Sequence, residues 1–135
     1  DTRNKGFHGK IRMINRLYSD NYGRETDLEK RRIFMHEMAH IWQEQSGVSI
    51  IGSAIGLFFQ NGGDYNKAYN YNMHDIYNFR SLNIEQQASI IEDYFVLREA
   101  VKADRRLRRT ACPSVRIFEQ ALKPSLPGLQ ELHQC

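Results

Sequence analysis

Residues 36–40 read His-Glu-Met-Ala-His, a spacing suited to holding a divalent metal ion. On a helix, side chains four residues apart lie on one face, so the imidazoles of His36 and His40 can converge on a single ion. Zinc suits such a pair because it accepts neutral imidazole nitrogens at about 2.0–2.1 Å. Glu37 lies about 100° around the helix from His36. Its carboxylate is therefore expected beside the ion, where it can accept a proton from water.

A catalytic zinc site needs a third protein ligand and one open position. The elongated motif with a third histidine is absent, because Gln43 and Ser46 occupy its glycine and histidine positions. An ordinary amphipathic helix with incidental histidines is the alternative. A purely structural zinc is a further alternative, but such sites are usually closed by cysteine. The third ligand must therefore come from another element.

The segment after residue 80 offers two carboxylates, Glu85 and Glu92, seven residues apart and so on nearly the same helix face. Small residues follow Glu85 at the next turn and allow a close approach of the first helix, whereas bulky residues follow Glu92. The sequence favours Glu85 as the third ligand and leaves Glu92, His74 and Asp75 open. An ordinary first-turn acid, stabilised by the helix dipole, is the other interpretation of Glu85.

A tetrahedral transition state of hydrolysis also needs a hydrogen-bond donor for its oxyanion. The Tyr- and Asn-rich stretch "DYNKAYNYNMHDIYNFRS" supplies the candidates. These possible transition-state donors are Tyr69, Tyr71, Tyr77 and His74. Tyrosines that merely pack on the surface are the alternative.

Three helices are predicted around these residues. The first covers residues 27–46, with Thr26 as N-cap, Glu29 completing a capping box and Gly47 ending it. The second begins near Ser81 or Asn83 and buries Ala88, Ile91 and Phe95. The third covers "PSVRIFEQAL" and begins at Pro113. Residues 48–80 are predicted to be either a long irregular binding segment or a short buried helix followed by a surface loop.

The fold class predicted is mainly α with a minor β element, zincin-like, in which the metal-binding helix packs against a second helix carrying the third ligand. The β element would be a strand or hairpin at residues 9–18, whose "KIRMI" is a candidate edge strand for an extended substrate. The 135 residues form one domain, expected to be excised from a longer protein because the chain lacks an initiator methionine. No apolar run approaches the ~20 residues that span a bilayer.

The net charge is +3, and six basic residues against two acidic ones lie in residues 98–110. A solvated helix end is the favoured interpretation of this run, and an anionic partner is the alternative. It lacks the interleaved aromatic residues of nucleic-acid binders, so no nucleic-acid partner is expected. Cys112 and Cys135 are poor metal ligands, and they are either free thiols or a disulfide that ties down the C-terminal tail.

"FMHEMAHIWQ" and "NIEQQASIIEDYF" together resemble the gluzincin zinc metallopeptidases. More narrowly, they resemble the metallopeptidase toxin domains at the C-termini of type VI secretion VgrG and Rhs proteins. The similarity covers roughly residues 30–97 and is weak in the first and last thirty residues. The resemblance implies that His36, His40 and Glu85 bind zinc and that Glu37 is the catalytic base. It also implies delivery into the periplasm of a competing bacterium and a neutralising immunity protein in the producing cell.

One position departs from this pattern. Many gluzincins carry an acid four residues after the ligand glutamate, where it orients a zinc-bound imidazole, but this chain has Ser89. The orienting group is therefore open between Glu92, Asp93 and a backbone carbonyl.

The function expected is that of a zinc-dependent metallopeptidase that cuts a protein or peptide by metal-activated water, as an antibacterial secreted effector. The main alternative is a zincin-like module on a secreted spike protein that binds without cutting. A third interpretation is a basic domain that binds nucleic acid, and it predicts that the affinity for nucleic acid falls steeply as the salt concentration rises.

Overall fold

A computed structural model describes residues 18–135, apart from the side chains of Ile51 and Tyr65. The described residues are mainly helical and contain no strand. The α-helices are α1 (Leu28–Gln45), α2 (Ile50–Gln60), α3 (Ile84–Ala103) and α4 (Arg108–Leu122). Short 3-10 helices cover Tyr65–Tyr69, Met73–Ser81 and Arg105–Leu107. The predicted mainly α class is confirmed for this part of the chain. The predicted β element at 9–18 lies outside the described residues, except for Tyr18.

Helix α1 begins one residue later than predicted, because its N-cap is Asp27 and not Thr26. The Asp27 carboxylate accepts the backbone N–H groups of Glu29 and Lys30. A carboxylate at this position also interacts favourably with the positive end of the helix dipole. The helix ends at Gln45, one residue before the predicted end. Gly47 follows the cap with a φ of 93°, a conformation that favours glycine, as predicted for the residue that ends the helix.

Helix α3 begins at the predicted cap, Asn83, which forms a reciprocal capping box with Gln86. The predicted buried stripe is only partly correct. Ala88 is fully buried, but Ile90 and Tyr94 are buried where Ile91 and Phe95 were expected, and those two are partly exposed. The shift arises because α3 packs between α1 on one side and α4 on the other. The main core accordingly joins α3 to the 73–81 segment and to α4, and consists of Ile76, Phe79, Ile90, Tyr94, Phe118 and Leu122.

Residues 48–80 form helix α2 and two 3-10 helices. The short helix of the second prediction is present, although only one of its faces is buried, and the part predicted to be a surface loop is more regular than expected. Ser49 caps α2 by accepting the N–H of Gly52. One face of α2 is buried through Ile50 and Leu57, which cluster with Ala68 and Ile84. Its other face is apolar and exposed, with Phe59 at 75% exposure. The segment positions residues 65–81 against α3.

Helix α4 begins at Arg108 and contains Pro113, which was predicted to start it. A 3-10 turn at 105–107 leads directly into the helix, and a single missing N–H at Pro113 does not stop it. Cys112 in α4 is joined by a disulfide to Cys135. The sequence left free thiols and a disulfide as alternatives, and the structure has the disulfide.

The C-terminal tail is also held by the buried carboxylate of Glu119. Its oxygens accept the Tyr94 hydroxyl at 3.0 Å, the Leu132 N–H at 2.9 Å and an Arg116 N–H at 2.6 Å. These bonds satisfy a carboxylate that is only 1% exposed. The tail is thus an integrated part of the fold.

Candidate metal centre

Helices α1 and α3 bring two imidazoles and one carboxylate together. His36, His40 and Glu85 are all buried, with 8%, 6% and 5% exposure. Their candidate ligand atoms all lie within 4.8 Å of one another. Glu85 Oε2 is 3.1 Å from His36 Nε2 and 3.3 Å from His40 Nε2. These three residues are hereafter the His-His-Glu cluster, and it can hold a metal ion.

The approach of the two helices at this point is close. An amide N–H of Gln43 in α1 donates to the backbone carbonyl of Ile84, in the first turn of α3, at 2.9 Å. Ala88 lies one turn along α3 and is fully buried. This is the close packing that the small residues after Glu85 predict. The first turn of α3 therefore carries Glu85 to the imidazoles.

Glu92 lies on the other side of the same imidazole. Its Oε2 accepts a hydrogen bond from His36 Nδ1 at 2.8 Å, and its Oε1 pairs with Arg32. Glu92 is 7% exposed, so these contacts lie in a largely water-excluded environment. The position of Glu92 therefore differs from that of Glu85: it contacts the ring nitrogen that points away from the cluster. Of the groups that the sequence left open for the imidazole-orienting position, Glu92 is the one that contacts His36 Nδ1.

The two carboxylates change the acid–base behaviour of His36. Burial alone lowers the pKa of an imidazole, but the hydrogen bonds and charges of Glu85 and Glu92 outweigh it and raise the pKa of His36 to about 9. The metal-free imidazole is therefore protonated at neutral pH and bonded on both sides. A metal ion that binds Nε2 must displace that proton.

The second imidazole has a different partner, Gln43, a contact that was not among the predictions. His40 Nδ1 is 2.8 Å from Gln43 Oε1. The spacing in the sequence could have indicated this contact, because residues three apart on a helix are neighbours.

Tyr69 lies beside the cluster, and Glu37 directly follows His36 in α1. Glu37 is partly buried, and its Oε2 is shielded from solvent. The Tyr69 ring centroid is 5.8 Å from that of His36. Burial, followed by the negative charges of Glu85, Glu37 and Glu92, raises the pKa of Tyr69 to about 12. Tyr69 therefore keeps its hydroxyl proton at neutral pH.

The other candidate donors lie elsewhere. The hydroxyl of Tyr71 donates to Asp93, whose pKa is raised chiefly by burial. Tyr77 is 62% exposed, and the His74 side chain is 80% exposed and faces Asp75. None of these three donors belongs to the His-His-Glu cluster. Among the candidate donors, the structure brings Tyr69 to the cluster.

A cavity of about 380 Å³ adjoins Tyr69 and Glu92. Its lining residues are Tyr69, Asn70, Tyr71, Met73, Ser89, Glu92 and Asp93. A larger apolar groove of about 660 Å³ lies between α1, α3 and the tail and contains no residue of the cluster. None of the cluster residues lines the smaller cavity either, but two residues of its wall, Tyr69 and Glu92, lie against His36. The smaller cavity is therefore a candidate space for part of a ligand.

The donor set is chemically suited to a metal ion. The carboxylate oxygen and the two imidazole nitrogens, once these are deprotonated, are all electron-pair donors, and their buried convergence is unfavourable unless a cation or a proton lies between them. In the metal-free site the proton on His36 has this role. Three protein ligands also leave a fourth tetrahedral position for water or substrate. The residues present thus fit a divalent ion of the zinc type.

Comparison with known proteins gives one partial relationship. The chain is 36% identical over 73 residues to the type VI secretion system spike protein VgrG2b of Pseudomonas aeruginosa. The similarity covers 51% of the chain but only 7% of VgrG2b. No family model and no solved structure matches the chain. The chain is therefore related to part of a VgrG spike protein. Among residues 18–135, no helix is both long and apolar enough to cross a membrane.

Proposed function

We propose that this domain is a zinc-dependent peptidase of the gluzincin type, delivered as an antibacterial effector. The single observation that carries the proposal is the buried convergence of His36, His40 and Glu85, with Glu37 next to His36 on the same helix. Three ligands from two packed helices, with a carboxylate beside them, are what metal-assisted hydrolysis requires.

The residues present would hold zinc through His36 Nε2, His40 Nε2 and a Glu85 oxygen. When bound, zinc supplies Lewis acidity, which lowers the pKa of water toward ~7 and polarises a substrate carbonyl. The buried surroundings strengthen these electrostatic interactions.

Glu37 acts as the general base in this proposal. Its carboxylate takes a proton from the attacking water and later gives that proton to the leaving amine, so that the peptide C–N bond breaks and the carboxylate is regenerated. Tyr69 donates its hydroxyl hydrogen bond to the developing oxyanion. Its pKa of about 12 keeps that donor protonated at neutral pH.

Two observations support delivery to the bacterial periplasm. The similarity to a type VI secretion spike protein fits a secreted, spike-associated domain. The Cys112–Cys135 disulfide fits an oxidising compartment, because disulfides persist in the periplasm and are rare in the cytosol. A producing cell would need an immunity protein to neutralise the domain, and the substrate would be a protein or peptide of the target cell.

The Glu37→Gln variant tests the proposal. We expect it to bind zinc as the wild type does and to lose cleavage of denatured casein and toxicity when directed to the periplasm. Glu44→Gln, a partly buried change on the same helix, is the matched control and should keep both activities. Full toxicity of a Glu37→Gln variant that no longer cuts would overturn the proposal in favour of a non-catalytic binding module.

A further inference from the structure

Gln43 is one of the most deeply buried polar residues of the described chain, at 1% exposure. Its amide makes three hydrogen bonds of normal length. Oε1 lies 2.8 Å from His40 Nδ1, and Nε2 donates to the Ile84 carbonyl at 2.9 Å and to Gln87 Oε1 at 2.8 Å. The amide therefore links the metal-facing helix α1 to the first turn of α3.

The contact with Ile84 determines which way the Gln43 amide points. A backbone carbonyl can only accept a hydrogen bond, so the atom facing Ile84 must be the amide nitrogen. The oxygen consequently faces His40. A carboxamide oxygen can only accept, so His40 Nδ1 must carry the hydrogen and donate it.

The orientation of Gln43 itself is held by a further bond. Gln87, which accepts one N–H of Gln43, donates its own Nε2 to the Phe79 carbonyl at 3.0 Å. The Gln87 amide is therefore oriented by a second backbone acceptor. A relay of two amides anchored to two carbonyls thus ends at the imidazole of His40.

This relay leaves one nitrogen of His40 available. With the hydrogen on Nδ1, the neutral ring has its lone pair on Nε2, the atom 3.3 Å from Glu85 Oε2. His36 has the same hydrogen-bonding pattern, because its Nδ1 donates to Glu92. The two imidazoles thus present the same nitrogen to the cluster, one held by a carboxylate and the other by an amide.

We infer that Gln43 is a positioning residue that sets the tautomer and ring orientation of His40 for metal binding. The inference rests on the proposed zinc site, and it does not require that the domain be a peptidase. A neutral amide performs this role without adding negative charge to a region that already holds the carboxylates of Glu37, Glu85 and Glu92. Partners that orient a metal-bound imidazole commonly change metal affinity about 10- to 100-fold when removed.

The test compares three variants by zinc affinity, measured by competition with a chromophoric chelator. Gln43→Met removes the acceptor, and we expect zinc affinity to fall about 10- to 100-fold. Gln43→Glu keeps an acceptor oxygen for His40 but turns its second oxygen toward two acceptors, the Ile84 carbonyl and Gln87 Oε1. Because His40 keeps its acceptor, the loss of zinc affinity should be smaller than that of Gln43→Met. Gln87→Met removes the second amide of the relay but leaves the Gln43 oxygen and its bond to the Ile84 carbonyl in place. Its loss of zinc affinity should therefore be smaller than that of Gln43→Met.

A second readout does not depend on whether each variant folds. In the zinc-loaded wild type, the Nδ1 hydrogen of His40 should give an exchange-protected proton–nitrogen NMR signal. Absence of this signal would overturn the inference. Wild-type zinc affinity in Gln43→Met would also overturn the inference. So would a loss of affinity in Gln43→Glu and Gln87→Met that is as large as the loss in Gln43→Met. If the wild type binds zinc with the protected signal but cuts no peptide, the proposed function fails and the inference stands.

Discussion

The rings of Tyr69 and His36 lie with their centroids 5.8 Å apart, at an interplanar angle of 36°. Tyr69 comes from the 3-10 helix at 65–69, whereas His36 comes from α1. The negative charges of Glu37 and Glu85 both act on the Tyr69 hydroxyl. The phenol therefore shares its surroundings with the proposed base and with a proposed ligand.

The Tyr69→Phe variant tests the donor role. Removing the hydroxyl should lower kcat about 100-fold and leave KM nearly unchanged, because the bond to the oxyanion forms only in the transition state. Zinc content should stay at the wild-type value, since Tyr69 is not a proposed ligand. Steady-state kinetics on a cleaved peptide supply the measurement.

Tyr77→Phe is the matched control, because Tyr77 lies in the same Tyr-rich region and is 62% exposed. It should have wild-type kinetics. An unchanged kcat in Tyr69→Phe would contradict the donor role, and a higher KM alone would indicate substrate binding.

The disulfide supports a prediction about stability. The disulfide closes a loop between two residues that are 23 positions apart in the sequence. Replacing both Cys112 and Cys135 by serine removes this restriction on the unfolded chain, so the free energy of unfolding should fall by about 3 kcal/mol. Both cysteines pack against a cluster of Val101, Val115 and Leu132, away from the metal centre. Denaturant unfolding of the oxidised wild type and the double variant measures the difference.

Zinc affinity should be unchanged in the double serine variant, because Glu119 and Arg116 still hold the tail. Equal stability of the two proteins under oxidising conditions would contradict the prediction.

Much of helix α1 and the choice of Glu85 could be predicted from local chemistry. The glycine end and the spacing of His36 and His40 are properties of one continuous segment. The cap was placed one residue too early, at Thr26 and not at Asp27. The preference for Glu85 over Glu92 rested on which side chains allow two helices to approach closely, and Glu85 is the one that lies in the cluster.

The contacts of Gln43 with α3 and of Glu92 with His36 could not be predicted in detail. Both depend on the rotation of α3 against α1, which is determined by tertiary packing on two faces of α3. The same packing explains why Ile90 and Tyr94, rather than Ile91 and Phe95, are buried. The pairing of Cys112 with Cys135 likewise depends on the path of the tail, which Glu119 and Arg116 direct through the fold.

The most direct test of the account is the zinc content of the purified domain and of two glutamate variants, measured by mass spectrometry of the metal after dialysis. We expect about one zinc ion in the wild type, nearly none in Glu85→Ala, and retained but weakened binding in Glu92→Ala. Glu92→Ala is the matched control, because both glutamates lie on α3, both are buried and both contact His36. A wild-type domain that binds no zinc, or a Glu85→Ala variant that keeps it in full, would contradict the account.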